Sequence, residues 1–375
     1  MIDIDGKKYE INRKTAIVTN WDKIYCNILK RILKKGELCE NRTGIDTLSI
    51  EGVYFKLDVG KSFPILETKK EALANTITEL LWIYQAQTND VKWLHDRQNH
   101  IWDDWMIDDD GIYRIYEPYI NENKKNIVKV KDIYGNDTNL TASSLKENKT
   151  IKEAIYYGPE YAHTIGTAYG YVVKETKEFD NVLYSLKNNP TSRRNVVSLR
   201  QANLLKTGVL EPCVWASTYK VYKGKLNVNV DVRSNDMPIG NPFNVTQYAI
   251  LLSLLAKVSN LEVGNLNWTI SDCHIYVNQL EQIKLQLSRF DKLLKWESFI
   301  KNNDDKEIIK EYKKILESSD IEELMTLKHL ITRENPELYL SNKDNFYEFD
   351  NKKENEDIKV LKYKSLPYIK MPVAQ

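Results

Sequence analysis

Leu210-Glu-Pro-Cys213 is followed closely by Arg233-Ser-Asn-Asp-Met-Pro-Ile-Gly-Asn-Pro-Phe-Asn244. The two segments gather a thiol, a guanidinium, a hydroxyl, amides, a carboxylate and a turn-forming glycine. A thiol is a strong nucleophile only as its thiolate, and a neighbouring arginine favours that form. A fixed guanidinium is also the best side chain for holding a phosphate. The pairing points to covalent chemistry on a phosphorylated small molecule. Each residue alone has an ordinary explanation: a buried cysteine, an arginine paired at a strand end, a solvated turn at Arg193-Arg194, and turn chemistry at Gly240 and Asn241-Pro242. Together they offer a nucleophile, several phosphate-grade cations, and amides able to read the edge of a planar ring.

Two further groups bear on this chemistry. His274 and Tyr276 stand at i and i+2, so on a strand both point to one side and can donate to one hydroxyl. Glu79 lies beside the apolar face of a helical pattern. It is either a surface neighbour or a partly buried acid/base with a raised pKa, and pattern alone leaves both open. Cys273 and His274 are adjacent, too close for a normal pair of zinc ligands, and no second Cys-x-x-Cys pair exists, so no metal is expected.

Elements must position these groups. Ile24, Ile28, Leu29, Ile32 and Leu33 recur at helical spacing, with Gly36 as the stop. Leu48 to Leu57 alternates as a strand, with Gly52 breaking the alternation as a bulge does. A second helix is predicted over 69–85. Leu226, Val228, Val230 and Val232 alternate with polar residues, a half-buried strand that ends on Arg233. The stretch 245–258 is nearly all apolar, as in a fully buried helix. The mixture predicts an α+β fold. The segment 106–161 is polar and weakly periodic, an insertion with an exposed loop at Asn121-Glu-Asn-Lys-Lys125. Two short helices are expected over 304–332, within an extra helical segment at about 290–335, with Ser318-Ser-Asp320 capping the second. No internal repeat or linker divides the chain, so a single domain over 1–375 is expected.

Composition narrows the classes. The 375 residues are 42% hydrophobic, and Lys+Arg 54 against Asp+Glu 53 leaves a net charge of +1, so no global field draws the chain to nucleic acid or membrane. The longest apolar run, Ala249 to Ala256, is too short for a bilayer, and the N-terminus lacks a signal-peptide core. Four scattered cysteines make no disulfide framework, and a cytoplasmic setting with reduced thiols is expected.

These residues, in order, resemble the thymidylate synthase family. The likeness runs through Asn41-Arg-Thr-Gly44, Phe63-Pro-Ile-Leu66, Thr68-Lys-Lys70, Glu79-Leu-Leu-Trp82, His100-Ile-Trp-Asp-Asp-Trp105, Ala168-Tyr-Gly170, Asn188 to Arg194, Pro212-Cys213, Arg233 to Asn244, Asp272 to Tyr276, and the tail Met371-Pro-Val-Ala-Gln375. The resemblance implies an α+β fold whose large mixed sheet forms a dimer interface with packed helices. It implies reductive methylation of dUMP to dTMP, with 5,10-methylenetetrahydrofolate as co-substrate, and no metal or nicotinamide. Cys213, Glu79, Tyr169, Asp236 and Arg233 are then the catalytic group, Cys213 attacking C6 of the uracil. Arg42, Arg233 and Ser234 would hold the phosphate, joined by Arg193 and Arg194 from a second subunit, which makes a homodimer with shared sites. Asn244 would read the base, with Asn235, Asp236 and Gly240 also at the nucleotide, and His274 and Tyr276 would bind the deoxyribose. Trp102, Asp236, Gly240, Lys69 and Ala374 would meet the folate, Trp102 shielding the one-carbon unit from water. Four positions depart from the usual family residues: Val214 (histidine), Val232 (glutamine), Ala72 (histidine) and Arg200 (tryptophan). Val214 and Val232 match a divergent subgroup of active enzymes. The alternatives are a nucleotide hydroxymethylase on the same fold and a catalytically silent nucleotide- or RNA-binding paralogue.

Overall fold

The alternation that ends on Arg233 becomes one strand of a six-stranded sheet. The computed structural model describes residues 1–117, 126–352 and 357–373. In chain order the sheet strands are β1 (Glu37–Cys39), β2 (Thr47–Asp58), β3 (Val196–Ser198), β4 (Val214–Tyr222), β5 (Lys225–Asp236) and β6 (Glu262–Tyr276), arranged β1-β2-β6-β5-β4-β3. Only β5 and β6 run parallel. A parallel neighbour needs a crossover, and the helix Gly240–Val258 supplies it. The antiparallel β4–β5 hairpin turns on Lys223 and Gly224, both at positive φ as a two-residue primed turn requires.

The sheet has two unlike faces, and register shows it. Val230, Trp268 and Phe55 stand side by side and are buried, while the next row, Asp231, Thr269 and Tyr54, faces outward. The crossover helix covers the buried face, with Tyr248 edge-on to Trp268 at 5.8 Å, and the helix Asn20–Lys35 adds Trp21 against Phe55 at 5.1 Å.

Several expectations change in detail. Gly36 does end the first helix, but at φ −66°; glycine is needed because a Cβ there would meet the Ile32 carbonyl at 2.6 Å. Gly52 makes no bulge: β2 and β6 pair in unbroken register across it, and its φ of +63° is what requires glycine. The second helix starts at Leu73, not 69, because the Glu71 carboxylate turns back to accept the Leu66 N–H at 2.7 Å, closing 66–71 as a loop. Its last turn, Leu81–Gln85, is a π-helix, a distortion that often accompanies a functional site. The insertion is more ordered than its sequence suggests. Ile112–Tyr116, Ile127–Asp132, Asp137–Ser143 and Ile151–Tyr156 form a four-stranded sheet over a small core of Ile112, Tyr116, Val130, Ala142, Ile151 and Ala154. The loop expected at 121–125 lies outside the described residues.

The extra helices Asp305–Ser318 and Ile321–Thr332 follow the longer helix Leu280–Asn302, and Asp320 caps the last by accepting the Glu323 N–H at 3.0 Å. They are anchored by a buried charge cluster. Glu67 Oε2 accepts from Arg333 Nε at 2.6 Å and lies 2.9 Å from His329 Nε2. Arg333→Met strands that carboxylate in the core and is expected to lower stability by about 3–5 kcal/mol. Adding Glu67→Gln, which removes the charge, should recover much of the loss in denaturant unfolding. A single-variant loss below about 1 kcal/mol would mean that His329 alone holds the carboxylate.

Candidate active site

Cys213 sits immediately before β4, and β5 brings Arg233 to it. The Arg233 N–H donates to the Cys213 carbonyl at 2.9 Å, beside a register shift between Val214 and Ala216; bulges of this kind re-aim side chains next to active sites. The Arg233 guanidinium is fixed by the carbonyls of Pro212 (3.0 Å) and Glu211 (2.7 Å), leaving its Nη2 4.0 Å from Sγ. Cys213 stays partly open, yet burial pushes its thiol up, more than Arg233 and Arg42 pull it down. The expected arginine effect is present and burial outweighs it, so the thiol needs help to ionise.

A cavity of about 240 Å³ opens beside Sγ, lined by Glu79, Trp102, Tyr169, Cys213, Gly240 and Asn244, among others. Glu79 is buried and is not a surface neighbour. Its Oε1 accepts from Trp102 Nε1 at 2.7 Å and its Oε2 from Gln247 Nε2 at 2.6 Å, and burial pushes its pKa up to about 7 despite both bonds. Trp102 packs on Tyr169 (5.3 Å) and Trp105 (5.5 Å), giving the cavity an aromatic wall. Tyr169 has φ +48° and ψ −106°, a strained backbone for a non-glycine residue. The residue after it, Gly170, would drive a Cβ into the Thr88 carbonyl at 2.1 Å. A Cβ at Gly240 would meet nothing closer than 3.4 Å, so its open side is cavity, not packing.

A polar rim surrounds this wall. Asp272 accepts from Ser234 Oγ at 2.6 Å, also pairs with Ser49, and lies 3.1 Å from His274 Nδ1. Burial alone would raise its pKa, but bonds from His274, Ser234 and Ser49 hold it well below the usual carboxylate range. The His274 and Tyr276 rings stand perpendicular with centroids 5.3 Å apart, on one side of β6 as expected. Asn244 accepts weakly from Asn235 (3.4 Å), and Asn235 is held by Asn241 at 2.7 Å. Asp236 accepts from Gln279 at 3.3 Å, and the same amide donates to the Pro372 carbonyl at 3.1 Å, tying the tail to the site. Lys69 is buried against the Pro238 carbonyl and lines a second cavity of about 140 Å³ with Ala72, Ile239, Phe243, Met371 and Val373; burial pushes its ammonium pKa down. Ala374 lies outside the described residues.

The thymidylate synthase family profile matches residues 23–323. The chain belongs to the thymidylate synthase family. It is 34% identical over 269 residues to a thymidylate synthase of Clostridium beijerinckii, covering 72% of this chain and 82% of that protein. It is 36% identical over 290 residues to one of Mycoplasma mobile, covering 76% and 90%. Thermostable thymidylate synthase A from Bacillus subtilis superposes with a TM-score of 0.63 at 28% identity, over 95% of this chain and 100% of that one. The α+β architecture expected from the sequence is thus that of the family.

Within this family member, not every expected residue meets the cavity. Arg42, Arg193 and Arg194 are exposed, and among the described residues their side chains make no hydrogen bond or ion pair. Arg42 is near enough to act on the charge of Cys213 and Tyr276. Arg193 and Arg194 stand on the turn before β3 and do not line the cavity. Conversely, Gln247, Asp272 and Gln279 were assigned no role from sequence. Asp272 is two residues from His274 on one strand, so it shares that face, a spacing that could have flagged it. Gln247 lies three residues after Asn244 on the crossover helix, again one face.

Proposed function

We propose that the chain catalyses the reductive methylation of dUMP to dTMP with 5,10-methylenetetrahydrofolate, as a homodimer in the cytoplasm. The single domain would span 1–375 with its insertion at 106–161. The observation that carries this reading is one cavity holding the Cys213 thiol, the doubly bonded Glu79 carboxylate and the Asn244 amide. Sγ attacks C6 of the uracil after its proton passes to solvent at the partly open thiol, with Arg233 and Arg42 stabilising the thiolate. Electron density moves to C5 and O4, and Asn244 matches a uracil edge because an amide can donate to O4 and accept from N3–H. The folate would supply the one-carbon unit and the hydride, leaving as dihydrofolate, and the Sγ–C6 bond then breaks to release dTMP and the thiol. Glu79, poised near neutrality, holds or takes the proton that C5 must lose. Ser234, His274 and Tyr276 position phosphate and sugar, and Trp102, Trp105 and Tyr169 suit the flat pterin while excluding water.

The test is a coupled product assay: dUMP with methylenetetrahydrofolate should give dTMP and dihydrofolate in equal amounts. Modified nucleotide without dihydrofolate would favour hydroxymethyl transfer, and no product at all would overturn the reading.

The homodimer rests on Arg193 and Arg194, unpaired among the described residues, and on the sheet face where Tyr54 is 63% exposed. If Arg193 and Arg194 complete a partner's phosphate site, Arg193→Ala and Cys213→Ser variants, each inactive alone, should regain activity on mixing. One of the two sites in a heterodimer then holds every wild-type group. About a quarter of wild-type activity is expected from random exchange, in which half of the dimers are mixed, each with one intact site. No recovery in verified heterodimers would remove Arg193 from the shared site.

A further inference from the structure

Outside the cavity, the segment that carries Trp102 folds three metal-grade side chains onto one point. His95 ends the short helix Val91–His95, His100 follows in the turn, and Asp103 opens the 3-10 turn Asp103–Trp105. His95 Nε2 lies 2.6 Å from one oxygen of Asp103 and His100 Nδ1 lies 3.0 Å from the other. The two imidazoles stack with centroids 4.9 Å apart and planes 28° apart. One donor atom from each residue falls within 4.8 Å of the other two. We propose that His95, His100 and Asp103 bind a divalent transition ion of the zinc type, with a fourth position open to water.

The donor set decides the ion. Two imidazole nitrogens and one carboxylate oxygen suit zinc and its neighbours and are poor ligands for calcium or magnesium. A tetrahedral zinc about 2.0–2.2 Å from each donor holds the donors about 3.3 Å apart. When an ion replaces the shared protons, the 2.6 and 3.0 Å contacts to Asp103 open by about 0.7 and 0.3 Å, and the remaining donor spacing, within 4.8 Å, closes toward the same value. Half-exposed side chains can make that shift, and His100, the most open of the three, leaves room for water. All three ligands fall within 95–103, so closing the chelate orders little extra chain. The ion clips the turn next to Trp102, whose indole holds Glu79. Its binding does not depend on the methyl transfer proposed above.

The test titrates the full-length protein, thiols kept reduced, with Co2+ as a coloured stand-in for Zn2+. One ion per chain is expected, with ligand-field bands of nitrogen and oxygen coordination, displaced by Zn2+ and bound at least tenfold more weakly by His100→Gln. Zn2+ should also shift the ring signals of His95 and His100 in wild-type NMR spectra, leaving those of His163, His274 and His329 in place. Equal affinity in a folded His100→Gln variant would overturn the site. So would sulfur-to-cobalt charge transfer, which would put the ion on a cysteine, or unmoved His95 and His100 signals. The NMR arm uses the wild type and decides the matter even if the variant fails to fold.

Discussion

Cys213→Ser is expected to lower kcat by at least about 10³-fold while leaving dUMP affinity within a few-fold of wild type. The two hydroxyl-bearing and thiol-bearing side chains are nearly the same size, so the cavity wall and the Arg233 clamp on Pro212 and Glu211 should survive the change. What changes is the acidity of the attacking group. Burial already pushes the Cys213 thiol up, and a guanidinium nitrogen 4.0 Å away only partly offsets it. That margin is workable for a thiol but far too small for an alcohol, whose proton is many units harder to remove. Binding should be spared because the proposed phosphate, sugar and base contacts fall to other residues. Two measurements separate chemistry from binding. With 5-fluoro-dUMP and methylenetetrahydrofolate, the wild type should gain the mass of both compounds and the variant neither, while equilibrium dialysis still detects dUMP on the variant. A variant within about tenfold of wild-type kcat would show that the bond to C6 forms elsewhere or not at all.

How far the sequence reaches can be judged from the same residues. The first helix, β5 and the crossover helix were legible because each buries a continuous apolar stripe or run, a property of local spacing. That β5 carries Arg233 was equally plain, although the strand does not end there: it runs on to Asp236, where pairing with β6 continues after the apolar alternation has stopped. That Arg233 meets Cys213 depends on the β4–β5 register and on the shift at Val214, which only the paired strands define. The insertion's sheet escaped notice because its strands are short and its core draws only one or two residues from each of the four. The predicted helix began at 69 instead of 73 because its first residues belong to a loop that a side chain, Glu71, closes in place of a backbone bond. Glu79 stayed ambiguous for a similar reason: its two hydrogen-bond partners, Trp102 and Gln247, come from distant parts of the chain. Fold followed local periodicity, whereas the chemical state of the site follows contacts that cross the chain.

Glu79 also carries the second large effect: Glu79→Gln should lower kcat by about 10²–10⁴-fold, the usual loss when a positioned acid/base is removed. Its two oxygens accept from two different N–H groups, and only a carboxylate can accept at both. A glutamine must turn its NH2 toward one of those donors, so a pH-independent loss of about 1–3 kcal/mol in stability should accompany the loss of activity. The pH dependence separates the two. With its pKa at about 7, Glu79 is mostly protonated below neutrality, and if it takes the C5 proton, wild-type kcat/KM should fall on the acid side of pH 7. The glutamine variant should lack that limb. The stability sign is opposite to that of an ion-paired acid. Because the folded pKa is raised above 4.5 by burial, the folded protein binds the proton more tightly than the unfolded chain. That contribution is fully present below about pH 4.5 and is lost as pH rises through about 7, which amounts to roughly 3 kcal/mol. Wild-type stability should therefore decline more steeply between pH 5 and 8 than that of Glu79→Gln in parallel denaturant titrations. Parallel slopes would mean that Glu79 is ionised throughout, held so by Trp102 and Gln247, and would recast it as a fixed negative charge instead of a proton carrier.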